Sequence, residues 1–509
     1  MYLIGVDIGT SATKSVLFDL QGRPVASASV EYPMYQPQMG WAEQDPEDWW
    51  RGTWQSIKGV LDKSGVNPRD VKGIGLSGQM HGMVLLDKHQ QVLRRSIIWC
   101  DQRTQAECDQ ITDILGRDRL IAITANPALT GFTASKVMWV KNHEPEIFAK
   151  IDKVLLPKDY VRFRLTGEFA SEVSDASGMQ FLDVPKRQWS AELMEKLGLD
   201  INWLGKVYES YEISGVVTAQ AAELTGLMPG TPVAGGAGDQ AASAVGNGIV
   251  EPGIVSATIG TSGVVFAHSD TVSIDPKGRV HTFCHAVPGC WHMMGVTQGA
   301  GLSMQWFREQ FGAAEKDLAA RMGVDTYELL CAEAERAPAG SQGLIYLPYL
   351  MGERTPHLDS RCKGVYFGLT ASHTRNDMIR ATMEGVTYSL LDCMNIIREL
   401  GVSSSQVRAA GGGARSPLWR QMIADMFDCQ VFTMNTSEAG ALGVAILAGV
   451  GAGLYPSVPE ACAQMVGPVS SVDPLADNRE AYARFYPVYQ ALYGALKPQY
   501  DQLAQILGQ

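Results

Sequence analysis

The sequence predicts two α/β domains descended from one duplicated unit. Three observations carry this. The chain has 509 residues, and single cores stop growing near ~250–300 residues. An apolar β-type run, the quartet Ile-Gly-Thr-Ser and a second β-type run occur at 1–19 (MYLIGVDIGTSATKSVLFD) and again at 253–267 (GIVSATIGTSGVVFA). Such spacing, about half a chain, is the mark of an internal repeat. Each half then continues with strands mixed among helices, the pattern of α/β domains.

The elements follow in order. The run VKGIGLSGQMHGMVLLD at 71–87 reads as strand, glycine-rich turn, strand. Gly246, Gly248, Pro252 and Gly253 cluster between the halves and predict a boundary near 245–253, dividing the chain into 1–247 and 248–509. In the second half, VRAAGGGARSPLWRQMIAD at 407–425 reads as strand, glycine-rich turn, helix, with Trp419, Met422, Ile423 and Met426 at helical spacing. From Ala439 to Pro459 no residue is charged. That is near membrane-spanning length, but the run is rich in Gly and Ala and broken by Pro456. It therefore predicts a buried helix packed closely on its neighbours. The last thirty residues or so read as amphipathic helix interrupted at Pro498.

Composition narrows the class. Hydrophobic residues at 46% and charged residues at 19% indicate a globular chain. A formal net charge of -12 with no cluster of Lys or Arg argues against nucleic acid or an anionic membrane as the main partner. Nine scattered cysteines without a CxxC pair read as reduced thiols of a cytoplasmic protein. The N-terminus lacks a basic start and Asp7 interrupts its apolar run, so no secretory leader is expected. His281, Cys284, His285, Cys290 and His292 crowd together, yet their spacing fits no closed zinc pattern. The alternating apolar residues around them predict a β-hairpin through Pro288 and Gly289.

Four motifs carry chemistry. In Asp7-x-Gly9-Thr10-Ser11-x-x-Lys14, a glycine turn lets backbone amides approach phosphate oxygens. Thr10 and Ser11 add hydroxyl donors, Lys14 can neutralise a phosphate, and Asp7 at a strand end can hold hydrated Mg²⁺. An ordinary hairpin with a glycine turn would read the same. The second copy, Gly260-Thr261-Ser262-Gly263, lacks the Asp and the Lys and reads as a second phosphate clamp. Asp239, in Gly235-Gly236-Ala237-Gly238-Asp239-Gln240, is suited to deprotonate a sugar hydroxyl. It could equally cap the Ala-rich helix that follows. Gly411, Gly412 and Gly413 before a helix could carry a diphosphate or a flat ligand face. Ser77-Gly78-Gln79-Met80-His81-Gly82 offers donors and acceptors suited to polyol hydroxyls.

These residues resemble the FGGY carbohydrate kinases along nearly the whole chain. One family signature is matched by GFTASKVMWVKNH at 131–143. The other is matched by GVYFGL at 364–369 with DMIRATME at 377–384. Within the family, SGQMHG at 77–82 and LPYLMGERTPH at 347–357 resemble the xylulokinase form. The Arg-Glu pair that glycerol kinases carry in the first of these turns is absent. The resemblance implies two ribonuclease H-like, actin-like ATPase domains around an interdomain catalytic cleft. The first would bind the sugar and the second ATP. It implies that Met80, His81 and Asp239 touch the sugar, with Asp101 and Gln240 beside them. Asp239 would be the base and Asp7 the Mg²⁺ ligand. Gly9, Thr10, Ser11, Lys14, Gly260, Thr261 and Ser262 would face ATP phosphates, and Gly411, Gly412 and Gly413 the nucleotide. The expected reaction is phosphorylation of D-xylulose, with another ketose or polyol such as ribulose, or gluconate, as the alternative. Expected partners are the sugar and ATP, without nucleic acid or membrane; a homodimer is compatible with this reading.

Overall fold

A computed structural model describes residues 1–507. The first sheet is built from β1 (Tyr2–Ile8), β2 (Ala12–Asp19), β3 (Pro24–Glu31), β4 (Val71–Gly78), β5 (Ile213–Val216) and β6 (Pro232–Ala234), in the order β5-β6-β4-β1-β2-β3. β1, β2 and β3 form an antiparallel meander, and β4 lies parallel to β1. The short pair Ala237–Gly238 extends the end of β4 in parallel.

The second sheet repeats this plan. It is built from β7 (Gly253–Ile259), β8 (Gly263–Ser269), β9 (His281–Cys284), β10 (Trp291–Thr297), β11 (Ser404–Ala410), β12 (Gln430–Met434) and β13 (Pro468–Val472), in the order β9-β10-β8-β7-β11-β12-β13. β7, β8, β10, β11 and β12 correspond to β1, β2, β3, β4 and β6. β13 even repeats the antiparallel edge strand β5. The Ile-Gly-Thr-Ser echo is thus one of topology, two ribonuclease H-like sheets in tandem.

The second strand expected within 71–87 exists at Val84–Leu86, but it pairs with Lys153–Leu155 and not with β4. β4 is flanked by β1 and β6, so it has no free edge. His81, at φ 70°, instead turns the chain off the sheet.

Six helices position the site: α1 (Thr133–His143), α2 (Asp239–Gly246), α3 (Ala300–Phe311), α4 (Pro417–Phe427), α5 (Ala439–Gly451) and α6 (Ala476–Leu507). α5 is the uncharged run of the sequence. It belongs to the second half of the chain but docks on β1 and β4 of the first sheet and on α2. Leu3, Val16, Ala241, Ala242, Val245, Leu442 and Ile446 form the buried seam. The approach is close enough to require glycine on both sides. A Cβ on Gly5 would lie 1.8 Å from the Ala441 carbonyl oxygen, and one on Gly443 would lie 1.9 Å from that of Ala242. Among the described residues, no helix is long and apolar enough to cross a membrane.

Gly75→Ala is therefore expected to destabilise the fold by about 3 kcal/mol or more, the upper range for overpacking. Its Cβ would fall 1.9 Å from the Val444 carbonyl oxygen, where only backbone can yield. Gly494→Ala in α6, where nothing lies within 4 Å, is the control and should gain up to about 1 kcal/mol of helix propensity. Thermal unfolding of the two variants tests this; equal melting temperatures would refute it.

α6 corrects the expected interruption at Pro498: it runs unbroken from Ala476 to Leu507 with Pro487 and Pro498 inside. Proline removes one backbone bond, but Tyr489 and Leu492 before Pro498, and Tyr500 and Ala504 after it, are buried. That packing keeps the two parts in line. β9 and β10 form the expected hairpin, with Gly289 at φ 69° in its turn. Within it, His281 Nδ1 and His285 Nε2 pair with Asn126 Oδ1 and the Ile249 carbonyl, and His292 stacks on Phe266 at 4.3 Å.

Candidate active site

β1 and β4 end side by side, with Asp7 opposite Ser77 in the register. Ala237 and Gly238 pair with Ser77 and Gly78, which brings Asp239, the first residue of α2, to the same end of the sheet. Gly238 occupies the extended cap position of α2, with no side-chain cap bond. The reading of Asp239 as the helix cap is thereby corrected. The cap packs tightly on the Met80 side chain: a Cβ on Gly238 would meet Met80 Cγ at 3.0 Å. Asp239 is half-buried, with its carboxyl under the influence of Asp7.

The electrostatics of this corner are unusual. Burial, and then the charge of Asp7, push the Asp239 carboxyl up to about 7. Burial and the neighbouring Glu438 also raise Asp7, against the pull of Ser77 and Lys14. Glu438, just before α5, pairs with Lys14 at 2.5 Å. Asp7 thus feels the charges of Glu438 and Lys14 and in turn acts on Asp239, so negative charge is in excess around Asp7. Asp7 itself, a buried carboxylate at a strand end, is the kind of oxygen donor that a hard divalent cation such as Mg²⁺ takes beside waters.

The turn after β4 is clamped from α1. Lys136 is fully buried and donates to the carbonyls of His81 at 2.9 Å and Gly131 at 2.6 Å. Thr133 also donates to the His81 carbonyl, at 3.1 Å. These bonds hold His81 in its left-handed conformation, which non-glycine residues seldom adopt. Burial and the nearby Lys136 lower the His81 pKa to about 3, so the ring is neutral. Its Nδ1 lies 2.8 Å from the Gly178 carbonyl, which can only accept, so the proton sits on Nδ1. Nε2 therefore offers a lone pair to a hydroxyl donor.

Asp101 is engaged differently. It is fully buried, and its carboxylate accepts from Ala42 N at 2.6 Å and from Arg103 Nη2 at 2.7 Å. With Arg103 Nε and Nη2 on its two oxygens it braces the loop, whereas the resemblance implies a place beside the sugar. Gln240 is partly exposed beside Asp239.

The two Ile-Gly-Thr-Ser turns have their carbonyls tied down. The Gly9 carbonyl accepts from Tyr32 at 2.6 Å and Gln79 at 3.2 Å, and the Thr10 carbonyl from Gln44 at 2.6 Å. The Gly260 and Thr261 carbonyls accept from Gly301 N at 2.8 Å and Leu302 N at 3.1 Å, in the first turn of α3. The Gly9 and Gly260 amides close their own turns on the Ala12 and Ser262 carbonyls, each at 3.0 Å, which leaves the amides and hydroxyls of Thr10, Ser11, Thr261 and Ser262 as the edge an anion can meet. Ser11, Thr261 and Ser262 are exposed. Gly260, Thr261, Gly412 and Gly413 line one cavity of about 560 Å³ with Met304, Gln305 and Glu328. Gly411, at φ 80°, crosses above β7, where a Cβ would lie 2.5 Å from the Ile259 carbonyl oxygen. Ser416 caps α4 by accepting from Trp419 N.

Three residues here carried no assignment from sequence. Lys136 lies inside a quoted signature, but only its burial reveals what it clamps. Glu438 is an isolated acid in the chain and meets Lys14 only across the two halves. Trp99 is 47% exposed and donates to the Thr10 hydroxyl at 3.0 Å; nothing in its local sequence marks it.

Two neighbouring carboxyls at one end of the first sheet, and a glycine turn lining a cavity in the second half, are the features of a phosphotransferase of the duplicated ribonuclease H-like type. The family models for the N-terminal and C-terminal domains of the FGGY family of carbohydrate kinases match residues 2–246 and 255–452. The chain belongs to that family. It is 40% identical over 492 residues to a xylulose kinase of Bacillus subtilis (strain 168), covering 97% of this chain and 96% of that protein. It is 40% identical over 506 residues to a xylulose kinase of Escherichia coli (strain K12), covering 99% of each. Its fold matches the crystal structure of a "xyloylose kinase" from Brucella ovis with a TM-score of 0.90 at 36% identity, covering 98% of this chain and all of that one.

Proposed function

We propose that the chain transfers the γ-phosphoryl group of ATP to D-xylulose. The observation that carries this is the junction of Asp239, with its carboxyl near 7, and the Met80–His81 turn, opposite the glycine-lined cavity. The similarity to xylulose kinases over nearly the full length supports the choice of sugar.

In this reading residues 1–247 hold the sugar and 248–509 hold ATP. His81 Nε2 accepts from a sugar hydroxyl, and Met80 packs against the carbon skeleton beside Gln240. Asp239 takes the proton of the reacting hydroxyl as its oxygen bonds to the γ-phosphorus and the bond to the β–γ bridging oxygen breaks, giving the sugar phosphate and ADP. The amides and hydroxyls of Thr10, Ser11, Thr261 and Ser262 receive the phosphate oxygens, at turns that Gly9 and Gly260 close, and Lys14 lends a positive charge. Gly411, Gly412 and Gly413 support the nucleotide. Mg²⁺, when bound, would neutralise phosphate charge, and Asp7 is the carboxylate suited to hold it. The setting proposed is the cytoplasm, with the sugar and ATP as partners and neither nucleic acid nor membrane.

An ADP-release assay across D-xylulose, L-ribulose, glycerol and gluconate tests the substrate. D-xylulose is expected to give the highest kcat/KM. A higher value for any other member would overturn the choice of sugar while leaving the family intact.

A further inference from the structure

The proposed sugar contacts all come from the first half of the chain, yet the second half presents a cation toward the same place. We infer that Arg354 is a sugar-binding residue, contributed across the cleft by the second half, whose guanidinium donates to oxygens of the bound ketose. This rests on the reading of the Met80–His81–Asp239 corner as the sugar site.

The position of Arg354 is fixed by its neighbours on both sides. The Glu353 carboxylate accepts from the backbone N–H groups of Gln298 at 3.0 Å and Arg354 at 2.7 Å, and from the Thr297 hydroxyl at 2.5 Å. Thr355 exchanges two bonds with Val296, N–H to carbonyl at 2.9 Å and Val296 N–H to the Thr355 hydroxyl at 3.1 Å. Arg354 is thus riveted to the end of β10. Val296 packs against a cluster that spans the cleft, with Met80 and Phe132 from the first half and Phe283 and Met294 from the second. The His81 ring lies on that cluster, 4.7 Å from Phe132 and 6.3 Å from Phe283.

The guanidinium itself is unclaimed. It is partly exposed, and among the described residues no carboxylate lies within 4 Å of it. Its charge reaches the His81 and His281 rings and helps hold both neutral. An arginine cannot shed its proton, and desolvating it without a partner is costly. Every other arginine of this corner is spent: Arg103 on Asp101 and Glu43, Arg162 on Asp159. A fork of five donors, its backbone anchored at the end of β10 beside the apolar cluster on which the His81 ring lies, suits an oxygen-rich, uncharged ligand. It also gives that ligand one contact from each half, so the sugar itself would draw the halves together.

The test compares Arg354→Met, Arg354→Lys and His81→Ala with wild type, using D-xylulose and ATP. Arg354→Met is expected to raise the sugar KM at least tenfold, and the calorimetric Kd for D-xylulose without ATP likewise, with the ATP KM within about twofold. Arg354→Lys should recover part of the loss. If ATP KM rises in place of sugar KM, Arg354 serves the nucleotide and the inference falls. If His81→Ala weakens sugar binding and neither Arg354 variant does, the inference falls while the sugar site stands. If none of the three changes sugar binding, the sugar-site reading fails with it. Should Arg354→Met not fold, Arg354→Lys alone decides, since loss of the planar fork still predicts weaker sugar binding.

Discussion

Asp239→Asn is expected to lower kcat by about 10²–10⁴-fold, the range of general-base catalysis, while the KM for sugar changes little. Asn preserves the size of Asp and much of its hydrogen bonding, and Asp239 makes no cap bond that the substitution could break. What disappears is a group able to accept a proton at the moment the sugar oxygen attacks, an interaction made in the transition state. Asp7→Asn should differ in kind. Asp7 faces Ser77 and Gly440, so its loss should move the Mg²⁺ concentration needed for half-maximal rate, and loss of Asp239 should not. Steady-state kinetics of both variants at several Mg²⁺ levels, with sugar binding followed by calorimetry, decide the point. Retention of more than about a tenth of kcat by Asp239→Asn would lie outside the general-base range and remove Asp239 from the role of base.

The pH profile of kcat/KM should fall about tenfold per unit below pH 7 and be about 100-fold lower at pH 5. The sign follows from the corner itself. A base must be ionised, and burial with Asp7 alongside holds the Asp239 carboxyl near 7. His81 does not contribute, because its ring stays neutral down to about 3. A flat profile for the residual activity of Asp239→Asn would assign the wild-type limb to this carboxyl; a profile unchanged by the substitution would refute the assignment. The same shift has a consequence for stability. A carboxyl whose folded value is raised favours the folded state most while protonated. Its contribution therefore declines as pH climbs from the ordinary carboxylate value toward 7.

Much of this was legible in the chain. The repeated Ile-Gly-Thr-Ser hairpin revealed two sheets of one plan because a tight glycine turn between β-type runs has few alternatives. The uncharged run at 439–451 was legible as a close-packed helix, since Gly and Ala at that density permit backbone approach. Its docking partner was not, because helix periodicity reports one face and not whose surface meets it. Asp101 shows a related limit: the family resemblance sets it beside the sugar, but its pairing with Arg103, two residues on, which engages both its oxygens, is visible only in the structure. Pro498 was judged by its local cost, whereas four buried neighbours along α6 decided the outcome. Lys136 lies inside a family signature, but its role is set by contacts far along the chain, on the His81 carbonyl, and no local pattern reports them.

The docking of α5 on the first sheet has a consequence for how the protein is made. During synthesis the strands carrying Gly5 and Gly75 leave the ribosome early, and the first half is complete by residue 246. The helix that covers their glycine face arrives only with residues 439–451. At about 5–20 residues per second, the first sheet waits roughly 10–40 s with that face bare. The first half is therefore not a finished folding unit when it emerges. It is a template completed from its own distant C-terminal sequence, so interrupting translation between 246 and 439 would release a chain with an uncapped, adhesive sheet.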